Sequence, residues 1–358
     1  MEVQKIQWNV NQFNWIVVDN NSLPIKPIQL FLKYQHNIGR SPNTLRAYAN
    51  HLKLYWEYLE YINKPWTDVS LNDFANFIGW LRTGNSKLVY LQKQKFCRMG
   101  STINTILTVV SVFYEFHNQI QNTEIKLTSL SKIKHSNYKP FLYHISKHQP
   151  IKTKLIKLKT YKQLPKTLDN KQVTIIIAAC KNLRDRFLIS LLYETGMRIG
   201  QALGLQHNDI KSWDNEINIQ PRDNINGARC KSKTPYIVHV SQELMRLYSE
   251  YVLQECKNHI QNYVFIQLKG NNIGKPLNYI AIRNTFLQIS KKVGFSVNPH
   301  MFRHTHATEL LRHGWDCDKV KKRLGHTSIQ TTLNVYSHLN TQDLKEAFIS
   351  YQINKGEK

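Results

Sequence analysis

In SPNTLRAYANHLKLYWEYLEYI the apolar residues Leu45, Tyr48, Leu52, Tyr55 and Leu59 recur at steps of three or four. That period gives one helix a continuous apolar stripe, which has to be buried against neighbours. Ser41 is placed to cap the helix and Pro42 to fill its first position, where a missing N–H costs nothing. Helical spacing also runs through PIQLFLKYQHNI, around DFANFIGWLR and along STINTILTVVSVFYEFHNQI. Residues 24–122 therefore read as a small all-helical bundle. Ahead of it, residues 1–22 mix Trp, Val and Asn with some alternation, which suggests a short strand or extended arm.

Residues 123–171 hold twelve lysines against the acids Glu124 and Asp169, with little amphipathic period. Such a composition reads as a solvated linker, placed over 123–165; a lysine-rich connector also grips phosphates without reading sequence. The second half, 166–350, opens with a helix expected over 170–193 and closed by Gly196, and another begins directly after. The β-prone pieces EINIQ and TPYIVHVS flank the polar stretch PRDNINGARCKSK, which suggests a hairpin with a basic loop. Helical patterns return in ELMRLYSEYVLQEC, NYIAIRNTFLQISKKVG, HMFRHTHATELLRHG, DKVKKRLG and IQTTLNVYSHL. The expected fold class is mainly α with a small antiparallel sheet, in two domains.

Lys and Arg number 49 against 24 Asp and Glu, a formal charge of +25. A field of that sign attracts polyanions and releases their counterions, which makes nucleic acid the leading partner. The five cysteines share no C-x-x-C spacing and are odd in number, so neither a disulfide frame nor a zinc knuckle is indicated. Apolar runs such as IIIAAC and FLISLL are far too short to span a membrane. A soluble cytoplasmic protein is expected.

His300, Arg303 and His304 stand at i, i+3 and i+4, on one face near the start of a helix. Imidazole, guanidinium and helix dipole converging there suit a phosphate. A metal reading of His300, His304 and the nearby His306 suffers from the absence of a neighbouring acid or cysteine and from the arginine in the shell; surface histidines without a role are a further reading. In YETGMRIGQALGL, Gly196 ends one helix and Arg198 opens the next, against the dipole, which suggests an anion at that spot. The competing reading has Arg198 snorkelling to water. In LGHTSIQTTLNVYSH, Gly325 closes a helix, His326 lies in the turn, and Tyr336 follows ten residues on. That is about 13–15 Å of helical rise, so the two need not touch each other and are free to approach a shared phosphate from different sides. Taken alone, Tyr336 reads as an ordinary amphipathic aromatic.

Arg198, a lysine-bearing hairpin loop, H-x-x-R at His300 and Arg303, L-G-H ending at His326, and Tyr336 form an ordered set that resembles the tyrosine recombinase, or phage integrase, family. The block PHMFRHTHATELLRHGWDCDKVKKRLGHTSIQTTLNVYSH follows the family pattern almost continuously, and SPNTLRAYANHLKLYWEYL is similar to its helical core-binding domain. The ARCKSK hairpin and the N-terminal arm look most like its transposon-encoded members.

The resemblance implies a helical core-binding domain plus a tyrosine-recombinase catalytic domain, double-stranded DNA as partner and a homo- or hetero-tetramer on DNA. It also implies transesterification through a 3′-phosphotyrosine, in transposon excision and integration, with no cofactor. A phenol of pKa about 10 is a poor nucleophile at neutral pH and needs an anion-stabilising pocket and a proton acceptor. By the resemblance Tyr336 attacks, Arg198 and Arg303 clamp the phosphate, and His300 accepts the proton. His326 donates a further hydrogen bond, and a hairpin lysine, Lys231 with Lys233 as runner-up, protonates the leaving oxygen. The family's usual acid three residues after the first arginine is Gln201 here. A neutral amide there either holds Arg198 without countercharge or is an exposed helix residue. An accessory DNA-binding protein that has lost the chemistry is the alternative. A type IB topoisomerase matches the helical N-terminal half less well.

Overall fold

The computed structural model describes residues 1–9, 12–84, 97–120, 131–134, 151–154, 156–160, 166–230, 232, 234–257, 261–325 and 349. Two compact units divide the chain, Met1–Lys162 and Gln163–Lys358.

In the first unit the opening residues form an antiparallel hairpin rather than an extended arm. Strand β1 (Glu2–Asn9) pairs with β2 (Gln12–Val18) from Glu2 opposite Val18 onward. The hairpin is anchored because β2 contributes Val17 to the core, and the Val17 carbonyl accepts the Ile25 N–H at 3.0 Å. Four helices follow: α1 (Lys26–Asn37), α2 (Pro42–Tyr61), α3 (Leu71–Thr83) and α4 (Gly100–Ile120). Ser41 caps α2 by accepting the Thr44 N–H, with Pro42 in the first turn as its sequence predicts. The α2 stripe is buried at Leu45, Leu52, Tyr55 and Leu59, while Tyr48 is partly buried. Each fully buried Leu or Phe contributes roughly 1.5–3 kcal/mol. Polar tips inside this aromatic core are satisfied in sequence. Tyr114 Oη donates to the Trp66 carbonyl at 2.6 Å, so the 2.8 Å contact with Tyr55 has Tyr55 as donor.

The lysine-rich stretch is not wholly irregular. Strands β3 (Ser131–Lys134) and β4 (Ile151–Lys154) pair antiparallel within it. Farther along, the Asn104 side chain binds both the N–H and the carbonyl of Leu158, at 2.9 and 3.0 Å, and ties that residue to α4.

In the second unit the helix expected over 170–193 is two, α5 (Asn170–Ala179) and α6 (Leu183–Thr195). Cys180 is extended, and the Asn182 side chain accepts the Asp185 N–H at 2.7 Å. The Glu255 carboxylate takes the Leu183 and Arg184 N–H groups at 2.9 Å each, so the new helix start is satisfied. Helix α6 is buried nearly all round, through Phe187, Leu188, Ile189, Leu191 and Leu192. After the short α7 (Ile199–Ala202) come β5 (Ile210–Lys211), β6 (Glu216–Ile219) and β7 (Tyr236–His239). They form one antiparallel sheet in the order β5-β6-β7, with Ile219 opposite Tyr236. The two expected strands are β6 and β7; β5 is an addition. Helices α8 (Gln242–Glu255), α9 (Tyr279–Val293), α10 (Pro299–Arg312) and α11 (Cys317–Leu324) complete the described part. The helix expected over IQTTLNVYSHL lies outside the described residues. All five cysteines are free thiols. Among the described residues no helix is long and apolar enough to cross a membrane.

Candidate active site

Asn298 caps α10 through its side chain, and Pro299 fills the first helical position. His300 is exposed in that first turn, whereas Arg303, one turn on, is buried at 6% exposure. Its guanidinium is held by main-chain carbonyls: Nη1 donates to Gly196 at 2.8 Å and Nη2 to Leu324 at 2.9 Å. Gly196 is the left-handed C-cap of α6, and Leu324 is the last residue of α11. Two helix C-termini therefore point their negative dipole ends at one cation. Glycine is required at 196, because a Cβ there meets Leu324 Cδ2 at 2.7 Å and His306 Cδ2 at 2.8 Å on a backbone with φ +61°.

Arg198 is the N-cap residue of α7 rather than part of its first turn, and its N–H is not free: the Gln201 Oε1 accepts it at 2.8 Å. Its side chain reaches the other end of the same cluster, with Nη1 at 3.5 Å from the Gly325 carbonyl. Burial first, and the neighbouring Arg198 charge second, pull the Arg303 pKa down to about 9. Among the described residues neither guanidinium has a carboxylate partner. Two adjoining cations, one buried and both oriented by carbonyls, form a receptor for an anion with several oxygens.

Gln201 is buried at 3% exposure, which removes the reading of it as an exposed helix residue. It holds the backbone of Arg198 and not its guanidinium. Its Nε2 donates to the Tyr236 hydroxyl at 2.9 Å and lies 3.4 Å from the Cys230 sulfur. Tyr236 in turn donates to the Leu324 carbonyl at 3.4 Å, and burial raises its pKa, so it stays a neutral donor. Its ring lies where a Cβ on Gly325 would sit, 2.6 Å away, and Gly325 has φ +61°. The glycine of L-G-H is thus fixed by both its backbone and its neighbour.

Lys231, Lys233, His326 and Tyr336 lie outside the described residues; Arg198, His300 and Arg303 are inside, and the first and last of these share the pocket. Sequence reasoning missed Tyr236 and Arg323 and treated His306 only as a metal ligand. His306 is instead buried, and its Nε2 accepts the Arg323 Nε–H at 3.1 Å. The signal available was its place three residues after Arg303, on the same helical face. Tyr236 gives no such signal, because its partner Gln201 is brought to it by the fold.

Residues 166–343 match the phage integrase family, and residues 28–121 match the phage integrase N-terminal SAM-like domain. The chain is 40% identical over 362 residues to transposase A from transposon Tn554 of Staphylococcus aureus, with 100% of both covered. It is 25% identical over 327 residues to the tyrosine recombinase XerC of Staphylococcus aureus, covering 89% of this chain and 93% of that relative. Two solved structures share the fold. XerH site-specific recombinase bound to palindromic difH substrate gives a TM-score of 0.61 at 19% identity, over 87% of this chain and 81% of that one. The Tn1549 transposon integrase in complex with transposon right end DNA gives 0.58 at 17% identity, over 91% and 99%. Identity of 40% sustained over the full length reaches well past a shared fold, and the chain belongs to the phage integrase family of tyrosine recombinases.

Proposed function

We propose that this chain is a site-specific DNA strand transferase of transposition, which cleaves and rejoins duplex DNA through a 3′-phosphotyrosine. The observation that carries the reading is the Arg198–Arg303 pair, a cationic receptor with one buried member and no carboxylate partner among the described residues. A scissile phosphate supplies the missing charge, and the same donors stabilise the further charge that develops as phosphorus becomes five-coordinate.

Tyr336 Oη attacks phosphorus, the bond to the 5′ oxygen breaks, and the tyrosine proton passes to His300. Lys231, next in sequence to the Cys230 that contacts Gln201, protonates the 5′ oxygen, with Lys233 as its alternate. His326, directly after Gly325, donates to the phosphate. The ester energy is kept in the phosphotyrosine, so a 5′ hydroxyl from another strand reverses the step without ATP. Residues 24–122 serve as the core-binding domain, 123–165 as a basic connector that touches phosphates, and 166–350 as the catalytic domain; the N-terminal hairpin has no assigned task. The working assembly is a homo- or hetero-tetramer on DNA, in the cytoplasm at the nucleoid. Full-length similarity to a transposase supports the substrate class.

The test is a nicked suicide duplex carrying a junction that the wild-type protein cleaves. Wild type forms an adduct that survives boiling in detergent, Tyr336→Phe binds the duplex but forms none, and Arg303→Ala loses far more cleavage than binding. An adduct in Tyr336→Phe removes the nucleophile assignment. Equal losses in Arg303→Ala make that residue a docking contact.

A further inference from the structure

We infer that Arg323 is a positioning residue for DNA cleavage, holding the end of α11 where the Leu324 and Gly325 carbonyls orient the two arginines of the phosphate clamp. The inference rests on the clamp role proposed for Arg198 and Arg303.

An arginine in the last turn of a helix is ordinarily explained by the helix dipole. Arg323 is engaged more specifically than that. Its Nε–H donates to His306 Nε2 on α10 at 3.1 Å. Its Nη2 donates to the carbonyl of Glu194, near the end of α6, and to that of His239, the last residue of β7, both at 3.1 Å. One planar group thus ties four elements together. A lysine does not reproduce this, because its donors all sit on one nitrogen, whereas Arg323 reaches its acceptors from two nitrogens of a rigid plane. His306 is fit for the contact because it is neutral, with its proton on Nδ1 and a lone pair on Nε2. Burial, then the charges of Arg323 and Arg303, hold its pKa down to about 3.

The residues next to Arg323 explain why this tie matters. The Leu324 carbonyl accepts from Arg303 at 2.9 Å and from Tyr236 at 3.4 Å, and the Gly325 carbonyl accepts from Arg198 at 3.5 Å. The acceptors that aim both guanidinium groups stand one and two residues beyond Arg323. With the fork released, the end of α11 is free to shift, and displacements near 1 Å cost up to about 100-fold in rate.

The experiment compares full-length wild type, Arg323→Lys, Arg323→Leu and the double variant Arg323→Leu with His306→Phe on the nicked junction duplex. It reads single-turnover adduct formation at saturating DNA, half-saturating DNA and the melting temperature. The expected result is a rate about 10–100-fold lower in both single variants, with half-saturation within about twofold of wild type. The double variant, which fills the space with apolar groups, recovers melting temperature but not rate. Rates within twofold of wild type in folded Arg323→Lys and Arg323→Leu overturn the inference. So does a rise in half-saturating DNA with no rate loss at saturation, which marks a phosphate contact. Rate and melting temperature recovering together in the double variant also overturn it, and leave Arg323 a stabiliser only. Absence of an adduct in wild type, or its presence in Tyr336→Phe, instead removes the underlying reading, and this inference with it.

Discussion

A charged guanidinium taken out of water and set beside a second one is unfavourable unless an anion joins them. Arg303 is in that position, and main-chain carbonyls compensate for it only in part. His306, one turn on, shows the opposite strategy, since it stays neutral where another charge is not tolerated. The sign of its effect on stability follows from its pKa, depressed from 6.5 to about 3. Between these values the unfolded chain takes up a proton that the folded chain refuses. The His306 contribution is therefore complete above pH 6.5 and is lost as pH falls toward 3. Denaturant titrations from pH 7 to 4 are expected to show the midpoint falling with pH, and falling less steeply in His306→Phe; equal slopes contradict the assignment. Gln201 belongs to the same scale. Its identity was plain in TGMRIGQAL, but its partners were not, because Tyr236 and Cys230 reach it only through the fold.

Elements with a one-sided apolar stripe were legible, α2 above all, where period and cap both match the structure. The break between α5 and α6 was not. The polar residues Lys181, Asn182, Arg184, Asp185 and Arg186 interrupt the apolar run there, but charged residues at that spacing also fit one polar turn of a continuous helix. What divides them is the cap at Asn182 and the carboxylate of Glu255, which is remote in sequence. At the end of α11 the local sequence did suffice, since L-G-H marks a left-handed glycine cap. Gly325→Ala places a methyl against the Tyr236 ring at a φ of +61°, whereas Gly314→Ala meets only the strain of φ +77°, with nothing within 4 Å of its Cβ. Alanine at either position costs on the order of 1 kcal/mol in backbone strain. Only the change at 325 is expected to slow adduct formation as well, by tenfold or more, in the suicide-substrate assay; matched losses in both variants leave the ring contact without a role.

At the scale of the molecule, each unit has its own core, and the division into a helical half and a mixed half was readable from composition and period. The hairpin at the start was only half-readable, because its second strand owes its place to burial against helices later in the chain. The charge of +25 was certain from the outset. Binding to duplex DNA is expected to weaken steeply between 50 and 200 mM salt, roughly 1000-fold or more if six or more phosphates are contacted. Electrophoretic titration across that range checks it, and a flat response removes the phosphate-led mode of binding.

The aromatic core of the first unit also decides what light reports. Trp15, Trp56, Trp66 and Trp80 pack on that core, whereas Trp213 is 97% exposed and Trp315 38%. Among the described indoles, a soluble quencher therefore reaches Trp213 of the catalytic half ahead of the four partly buried ones of the N-terminal half. Quenching of intrinsic fluorescence is thus expected to begin at Trp213, without any attached dye.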